Sequence, residues 1–547
     1  MEIMETQRPT GKRRRARGDV FWALGLVTVI LFAVVRIAPA WTIFTATYDE
    51  PFHIAAGMEW LDRGEYTYEW QHPPLARVAV ALGPYLMGRR SFLLPNATAE
   101  GNAILYSGGT YLDNLRAARL GNVPFLMLAC ILIFVWGRKW FSAAAGLWAV
   151  ILFINLPPVL GHAGLATLDV ACAATTTGAL CCFVFWLERR SWQRSILLGG
   201  ALGLAFLCKF SALVFFGACA AFGALYMFLA RPPSAARCSR MWANLVIIAT
   251  VTFLLLWAGY RFSVRPLPYG NTREFIPRVL APVVTKPLPL LQMAGGLVSV
   301  YYHNAAGHEA YLLGEYRKTG WWYFFPVAVA VKTPIAVLVL AAIGIFLVTR
   351  RFRSAPWQHH LTLLFMAAIM VTCMSARVNL GVRHILPIYP LVAVLGGHAL
   401  ATMFRYRKSF LPVVAGSVLV ALAIGDCWMA HPDYLAYFNQ LAGSHPENVL
   451  GGSDLDWGQD LHRLAKRLRE RGIEHVSIRY FGTAPLDKAG LPGYDPVSLD
   501  ESPHGYVAVS SYYLTADLVR NGSRSWLTRY VPVERIGKSI YLFYFPG

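Results

Sequence analysis

Asp49 and Glu50 stand side by side, and a third carboxylate, Asp169, interrupts an otherwise apolar run. A carboxylate in such a setting can take the proton from a hydroxyl as its oxygen attacks carbon. Cations occupy comparable positions at Lys209, Lys332, Arg377, Arg383 and His384. Groups of this kind hold an anionic leaving group, above all a phosphate. A base for an acceptor and cations for a departing phosphate are what transfer from a lipid-phosphate donor requires. That chemistry involves no nucleotide, and no Gly-rich phosphate loop is present.

The elements that position these residues are membrane helices. The chain has 547 residues, 56% of them hydrophobic and only 15% charged, too apolar for an ordinary soluble protein. About eleven stretches approach the 20 residues needed to cross a bilayer. They run over 21–40, 119–137, 141–160, 166–187, 194–208, 210–230, 242–260, 322–349, 359–376, 386–403 and 411–428. The first is followed by no defensible cleavage site and reads as a retained helix.

The net charge of +20 would fit nucleic acid, but its placement marks topology instead. Basic residues collect at Lys12 to Arg17, Arg138 and Lys139, Arg189 and Arg190, Arg231 to Arg240, Arg350 to Arg353, and Arg405 to Lys408. With eleven crossings every cluster falls on the cytoplasmic side. The expected protein is therefore a multi-pass protein of the plasma or inner membrane, in contact with lipid and not nucleic acid. Residues 1–20 form a basic cytoplasmic N-terminus, 21–429 the membrane domain, and 430–547 an extracytoplasmic α/β domain. The nine cysteines avoid that tail, so no disulfide framework or CxxC site is expected, and packing is their simplest role.

Two outer loops, 41–118 and 261–320, together with the tail, are the long extramembrane segments. In the first, Pro51 to Leu61 and Pro73 to Met87 suit interfacial helices. In the tail, Asp456 to Arg471 reads as an amphipathic helix, followed by β-rich runs at 475–481, 506–513 and 539–545.

Depth along the helices then groups the charges. Asp169 precedes Glu188 by about 18 apolar or small residues, roughly 27 Å of helix, and so lies near the outer boundary. Lys209 falls in an outer turn, Lys332 precedes an inward apolar run, and Arg377, Arg383 and His384 flank an outer loop. Each cation alone is explained as well by an anchor reaching the headgroups. Asp169 alone has a second account, as a first-turn acid on a helix dipole. Their convergence at one depth is what points to a site.

The motifs add a resemblance. Tyr48 to His53, with its acidic pair, followed by His72, Pro73, Pro74 and Leu75, resembles the first outer loop of protein O-mannosyltransferases and related lipid-linked-sugar glycosyltransferases of the GT-C fold. GHEAYLLGE and GWWYFFP within 307–334, NLGVRHILPIYP at 379–390 and DWGQDL at 456–461 resemble bacterial phospholipid-carrier-dependent glycosyltransferases. The resemblance implies a polytopic α-helical GT-C-like fold and a polyprenyl-phosphate sugar as donor. It gives Asp49 the role of base, Glu50 a supporting role, and Asp169 that of a second acid. Ala76 and Arg77 stand where the eukaryotic enzymes continue HPPL with Gly and Lys, so Arg77 joins the cations expected at the donor phosphate. The repeated sugar-binding domain of those enzymes has no counterpart, and the acceptor, a protein or an envelope glycan or lipid, does not carry over.

Other motifs admit two readings. His72 either holds donor phosphate or caps an interfacial helix. His53, His303, His308 and Glu309 are further pocket candidates, but His303 and His308 are spaced poorly for one metal, so no metal or cofactor is expected. Trp321, Trp322 and Tyr323 suit an aromatic belt. A flippase for lipid-linked sugars would place binding residues near the midplane in repeated halves. A lipid-carrier hydrolase would use the same cations with water as acceptor.

Overall fold

The computed structural model describes residues 10–230, 239–266, 285–406, 409–498, 504–521 and 530–546. Most of the 231–240 basic cluster, Cys238 and residues 267–284 of the second long loop lie outside them. Among the described residues, eight helices are long and apolar enough to cross a membrane. They are Gly18–Ile43, Tyr111–Trp140, Asp169–Glu188, Ser211–Ala230, Met241–Gly259, Trp357–Met374, Val382–Arg405 and Leu411–Met429.

The other three stretches depart from straight crossings. Ala143–Phe153 and Pro157–Ala163 meet at 69°, and Phe324–Lys332 and Ile335–Arg350 at 114°. Both breaks fall at a proline. Leu156 and Thr333 precede Pro157 and Pro334 and are extended, because a following pyrrolidine ring disfavours the helical backbone. The expectations of one continuous span over 141–160 and over 322–349 are corrected accordingly. The remaining stretch is Trp192–Cys208, an apolar helix of 17 residues.

Helix Val382–Arg405 lies at the centre of the bundle, with 89% of its apolar window buried against 17% for Leu411–Met429. All eight described cysteines are free thiols. The first long loop folds into Glu50–Arg63, Pro74–Leu86, Ala97–Leu105 and Tyr111–Leu120, the last continuing into a span. Asn96 and Thr110 cap the latter two through side-chain oxygens. Gly57 lets the first two approach closely, since a Cβ there would lie 2.1 Å from the Arg77 carbonyl.

The tail carries a five-stranded sheet in the order Gly493–Pro496, His475–Arg479, Gly505–Ser510, Ile540–Phe545 and Glu534–Ile536. The first three are parallel and the rest antiparallel. Alternate residues face opposite sides. Ala508 and Leu542 pack with Leu461, Leu464 and Leu468, whereas Val507, Val509 and Phe543 form a second cluster. The tail helix begins at Leu461 rather than Asp456, and residues 511–513 belong to helix Ser511–Asn521 rather than a strand.

Candidate active site

Asp49 and Glu50 open helix Glu50–Arg63, with Pro51 in its first turn. Adjacent in sequence, they face different surroundings. Glu50 is fully buried, and Arg119 grips its carboxylate from Nε and Nη2 at 2.8 Å each. It also accepts from the Thr47 and Ala166 amides, both at 2.7 Å. The Asp49 side chain is 27% exposed and meets Arg383 Nη1 at 2.5 Å.

Arg383 sits on a 3₁₀ turn, Val382–Ile388, that leads into the central helix. Gly381 introduces the turn at φ 104°, a backbone region that favours glycine. Asp454 Oδ1 fixes the turn by accepting from the Val382 amide at 3.0 Å. The guanidinium lies over the Trp457 ring, 4.3 Å from its centroid. Arg383 therefore touches a carboxylate from the first loop and an indole from the tail.

Asp169 begins its helix 3% exposed and accepts from Lys209 Nζ at 2.6 Å. Lys209 is extended between helices Trp192–Cys208 and Ser211–Ala230. His162, at the end of Pro157–Ala163, places Nδ1 4.0 Å from the other Asp169 oxygen.

His72 and His53 line the same region, their rings 5.6 Å apart. Lys209, Asp49, Asp169 and Arg383 all act electrostatically on His72. Burial first, then Lys209, hold His72 down at about 4, while its Nδ1 lies 3.0 Å from the Glu69 carboxylate. Burial and then Arg77 push His53 well below the usual histidine value. His384 lies within electrostatic reach of Lys209, Arg383, Asp169 and His72. Six of the residues singled out in the sequence thus gather in one cluster: Asp49, Asp169, His72, Lys209, Arg383 and His384, with His53 beside them.

Others are engaged elsewhere. Arg77 is fully buried against the Glu69 carboxylate, the Glu69 carbonyl, the Tyr66 hydroxyl and His53 Nδ1. Lys332 is fully buried and donates to the Leu435 and Asp454 carbonyls at 2.8 and 2.6 Å. Arg377 ties to Asn304 and Ala305. The His303 and His308 rings lie 5.8 Å apart, tilted by 56°, and His308 bonds the Glu309 carbonyl. Among the described residues no three His, Cys, Asp or Glu side chains group as metal ligands.

The sequence places Asp456, Trp457 and Asp460 at a helix start with Ser453 or Asp454 as its cap, and does not single out His162, Glu69 or Arg119. In the structure the tail borders the cluster. The Tyr48 amide donates to the Trp457 carbonyl at 2.9 Å and the Thr45 amide to the Gln459 carbonyl at 3.0 Å. His162 carried a signal that was available, since a titratable group beside an apolar stretch is costly at that depth.

Comparisons with known proteins agree with this architecture. A family model described as dolichyl-phosphate-mannose-protein mannosyltransferase matches residues 103–257, a stretch that holds Asp169 and Lys209 but not Asp49. No curated protein matches the sequence. Among solved structures, the chain is similar to ArnT from Cupriavidus metallidurans bound to undecaprenyl phosphate, at 12% identity and TM-score 0.51, covering 94% of this chain and 97% of that one. It is similar to the S. cerevisiae protein O-mannosyltransferase Pmt1-Pmt2 complex bound to the sugar donor, at 12% identity and TM-score 0.55, covering 75% and 90%. It is also similar to the Archaeoglobus fulgidus oligosaccharyltransferase tethered with an acceptor peptide, at 11% identity and TM-score 0.52, covering 94% and 74%. The chain has the GT-C fold and resembles protein O-mannosyltransferases.

Proposed function

We propose that this protein is an inverting glycosyltransferase that moves a hexose or pentose from a polyprenyl-phosphate-linked donor to a hydroxyl of a protein or of an envelope glycan or lipid. The observation that carries the reading is the pairing of a partly open Asp49 with Arg383 beside a closed Asp169–Lys209 pair. Two of the similar structures are bound to undecaprenyl phosphate and to a sugar donor, which supports the donor class.

In this reading the acceptor hydroxyl enters beside Asp49 and loosens its contact with Arg383. The hydroxyl oxygen bonds to the anomeric carbon as its proton passes to Asp49. The bond from that carbon to the phosphate oxygen breaks, and its electron pair stays with the lipid phosphate. Protonated Asp49 no longer neutralises Arg383, whose charge then serves the phosphate together with Lys209. His384 and His72 offer hydrogen bonds, while Arg77 and Lys332 position the walls. With Asp169 and Glu50 both held on cations, no second open carboxylate among the described residues is placed as a covalent nucleophile, so configuration inverts. The charges used are the chain's own, and the reaction as proposed calls on no metal.

The basic clusters support placing residues 1–20 in the cytoplasm, with the pocket and residues 430–547 on the extracytoplasmic side of the plasma or inner membrane. Mass spectrometry of envelope glycans and glycoproteins from cells with and without the protein tests the reading. A missing sugar is expected, and identical profiles together with no turnover of polyprenyl-phosphate sugars by the reconstituted protein sink it. A retained anomer in the product overturns the inversion.

A further inference from the structure

We propose that His162 is a reserve counter-charge for Asp169, taking up a proton when Lys209 turns to an anionic ligand. The inference rests on the reading of the pocket as a lipid-phosphate site. His162 is 1% exposed, and its Nδ1 has no hydrogen-bond partner, a rare state for a buried polar atom. That nitrogen lies 4.0 Å from Asp169 Oδ2, while Lys209 Nζ occupies Oδ1 at 2.6 Å. The Trp457 ring packs edge-on against the imidazole at 5.8 Å.

The charged groups facing His162 are Asp169, Arg383, Lys332 and Lys209, one carboxylate against three cations. With Lys209 on Asp169, a proton on His162 would add a fourth positive charge to a closed space, which is unfavourable. A phosphate that draws the Lys209 ammonium towards itself changes both sides of that balance. Asp169 loses its short ion pair, and a new negative charge enters nearby. A protonated Nδ1 then needs to move only about 1 Å to reach hydrogen-bond distance of Oδ2. The proton comes from water and returns there when the phosphate leaves, so Asp169 never stands alone in a buried site.

The test is calorimetric titration of undecaprenyl phosphate into the full chain in detergent, near neutral pH, in buffers of different ionisation enthalpy. The wild type is expected to take up more protons on binding than His162→Gln, and the variant to bind roughly tenfold more weakly, as for loss of one hydrogen bond to a charge. Asp169→Asn supplies a second arm that does not depend on the His162 variant folding, and its proton uptake should also fall below that of the wild type. Uptake equal to the wild type in either variant, with binding retained, overturns the inference while leaving the phosphate reading intact. Failure of the wild type to bind undecaprenyl phosphate sinks that reading and takes the inference with it.

Discussion

Helix Asp169–Glu188 carries a carboxylate at each end, and the two ends of the molecule treat them differently. Glu188 accepts from Trp140 and Gln358 at 2.8 and 3.0 Å, while Lys139 and Arg194 stand off at 3.9 and 3.8 Å with side chains 47% and 31% exposed. Asp169 holds Lys209 at 2.6 Å, and Asp49 holds Arg383 at 2.5 Å, with the two cations 14% and 11% exposed. Long exposed pairs are screened and interchangeable, whereas short enclosed ones interact strongly and answer to any change in charge. In the proposed reading, charge at the Glu188 end marks topology and charge at the Asp169 end serves the chemistry.

The largest effect that would sharpen this contrast lies within the Asp49–Glu50 pair. Asp49→Asn is expected to lower sugar transfer by about 10²–10⁴-fold, as for loss of a general base. Its thermal unfolding should fall less than that of a Glu50 variant, because Asp49 is 27% exposed and the amide oxygen can still accept from Arg383. Glu50→Gln should do the reverse, costing about 3–5 kcal/mol by leaving Arg119 buried without its partner. Unfolding curves of the two variants in detergent check the pair. Equal stability loss in both would erase the distinction between an open and a sealed carboxylate.

Arg383→Lys is expected to keep the charge and still lose roughly tenfold in turnover, since Lys offers neither the planar fork nor the stacked contact with Trp457. Steady-state kinetics of the variant check this. Full activity would mean that Arg383 acts as a point charge alone and that the tail wall is dispensable to it.

Much of the cluster was legible because charge near a bilayer is expensive, so Asp169, Lys209, Arg383 and His384 stood out together by sharing one depth. What the sequence could not say is which way a cation faces. Arg77 and Lys332 carry the same signal, yet one is closed on Glu69 and Tyr66 and the other on the Leu435 and Asp454 carbonyls. The tail was harder still. Trp457 and Asp454 act through contacts with residues some 70 or more positions away, at Arg383 and Val382, and no local pattern encodes such contacts. The break at Thr333 was locally encoded by Pro334, but apolar length concealed it.

A smaller effect is expected in the tail. Burial pushes the Asp456 carboxyl up to about 7, although it accepts from the Gly458 and Tyr512 amides, both at 3.1 Å. Its value in an unfolded chain is 3.8, so between these limits the folded protein holds a proton that the unfolded one lacks. The stability this contributes is full below the lower value and is lost as pH rises through the upper one. Asp456→Asn removes that dependence, and the variant should gain a few degrees on the wild type between mildly acidic and mildly alkaline pH. Parallel melting profiles across that window would refute the shift.

Glu188→Gln should give the smallest effect and closes the comparison from the other end. Its Trp140 and Gln358 contacts can be kept by the amide oxygen, and the two cations it releases are already in contact with solvent. Exposed pairs of this length contribute about 0–1 kcal/mol. Transfer should be unchanged, because the Asp169 end lies roughly 28 Å away along a helix rising 1.5 Å per residue. Activity assays on Glu188→Gln beside Asp169→Asn read the two ends of one helix under the same conditions. A comparable loss in both would mean that the ends are coupled through the bundle, and that the division between a topological end and a chemical end does not hold.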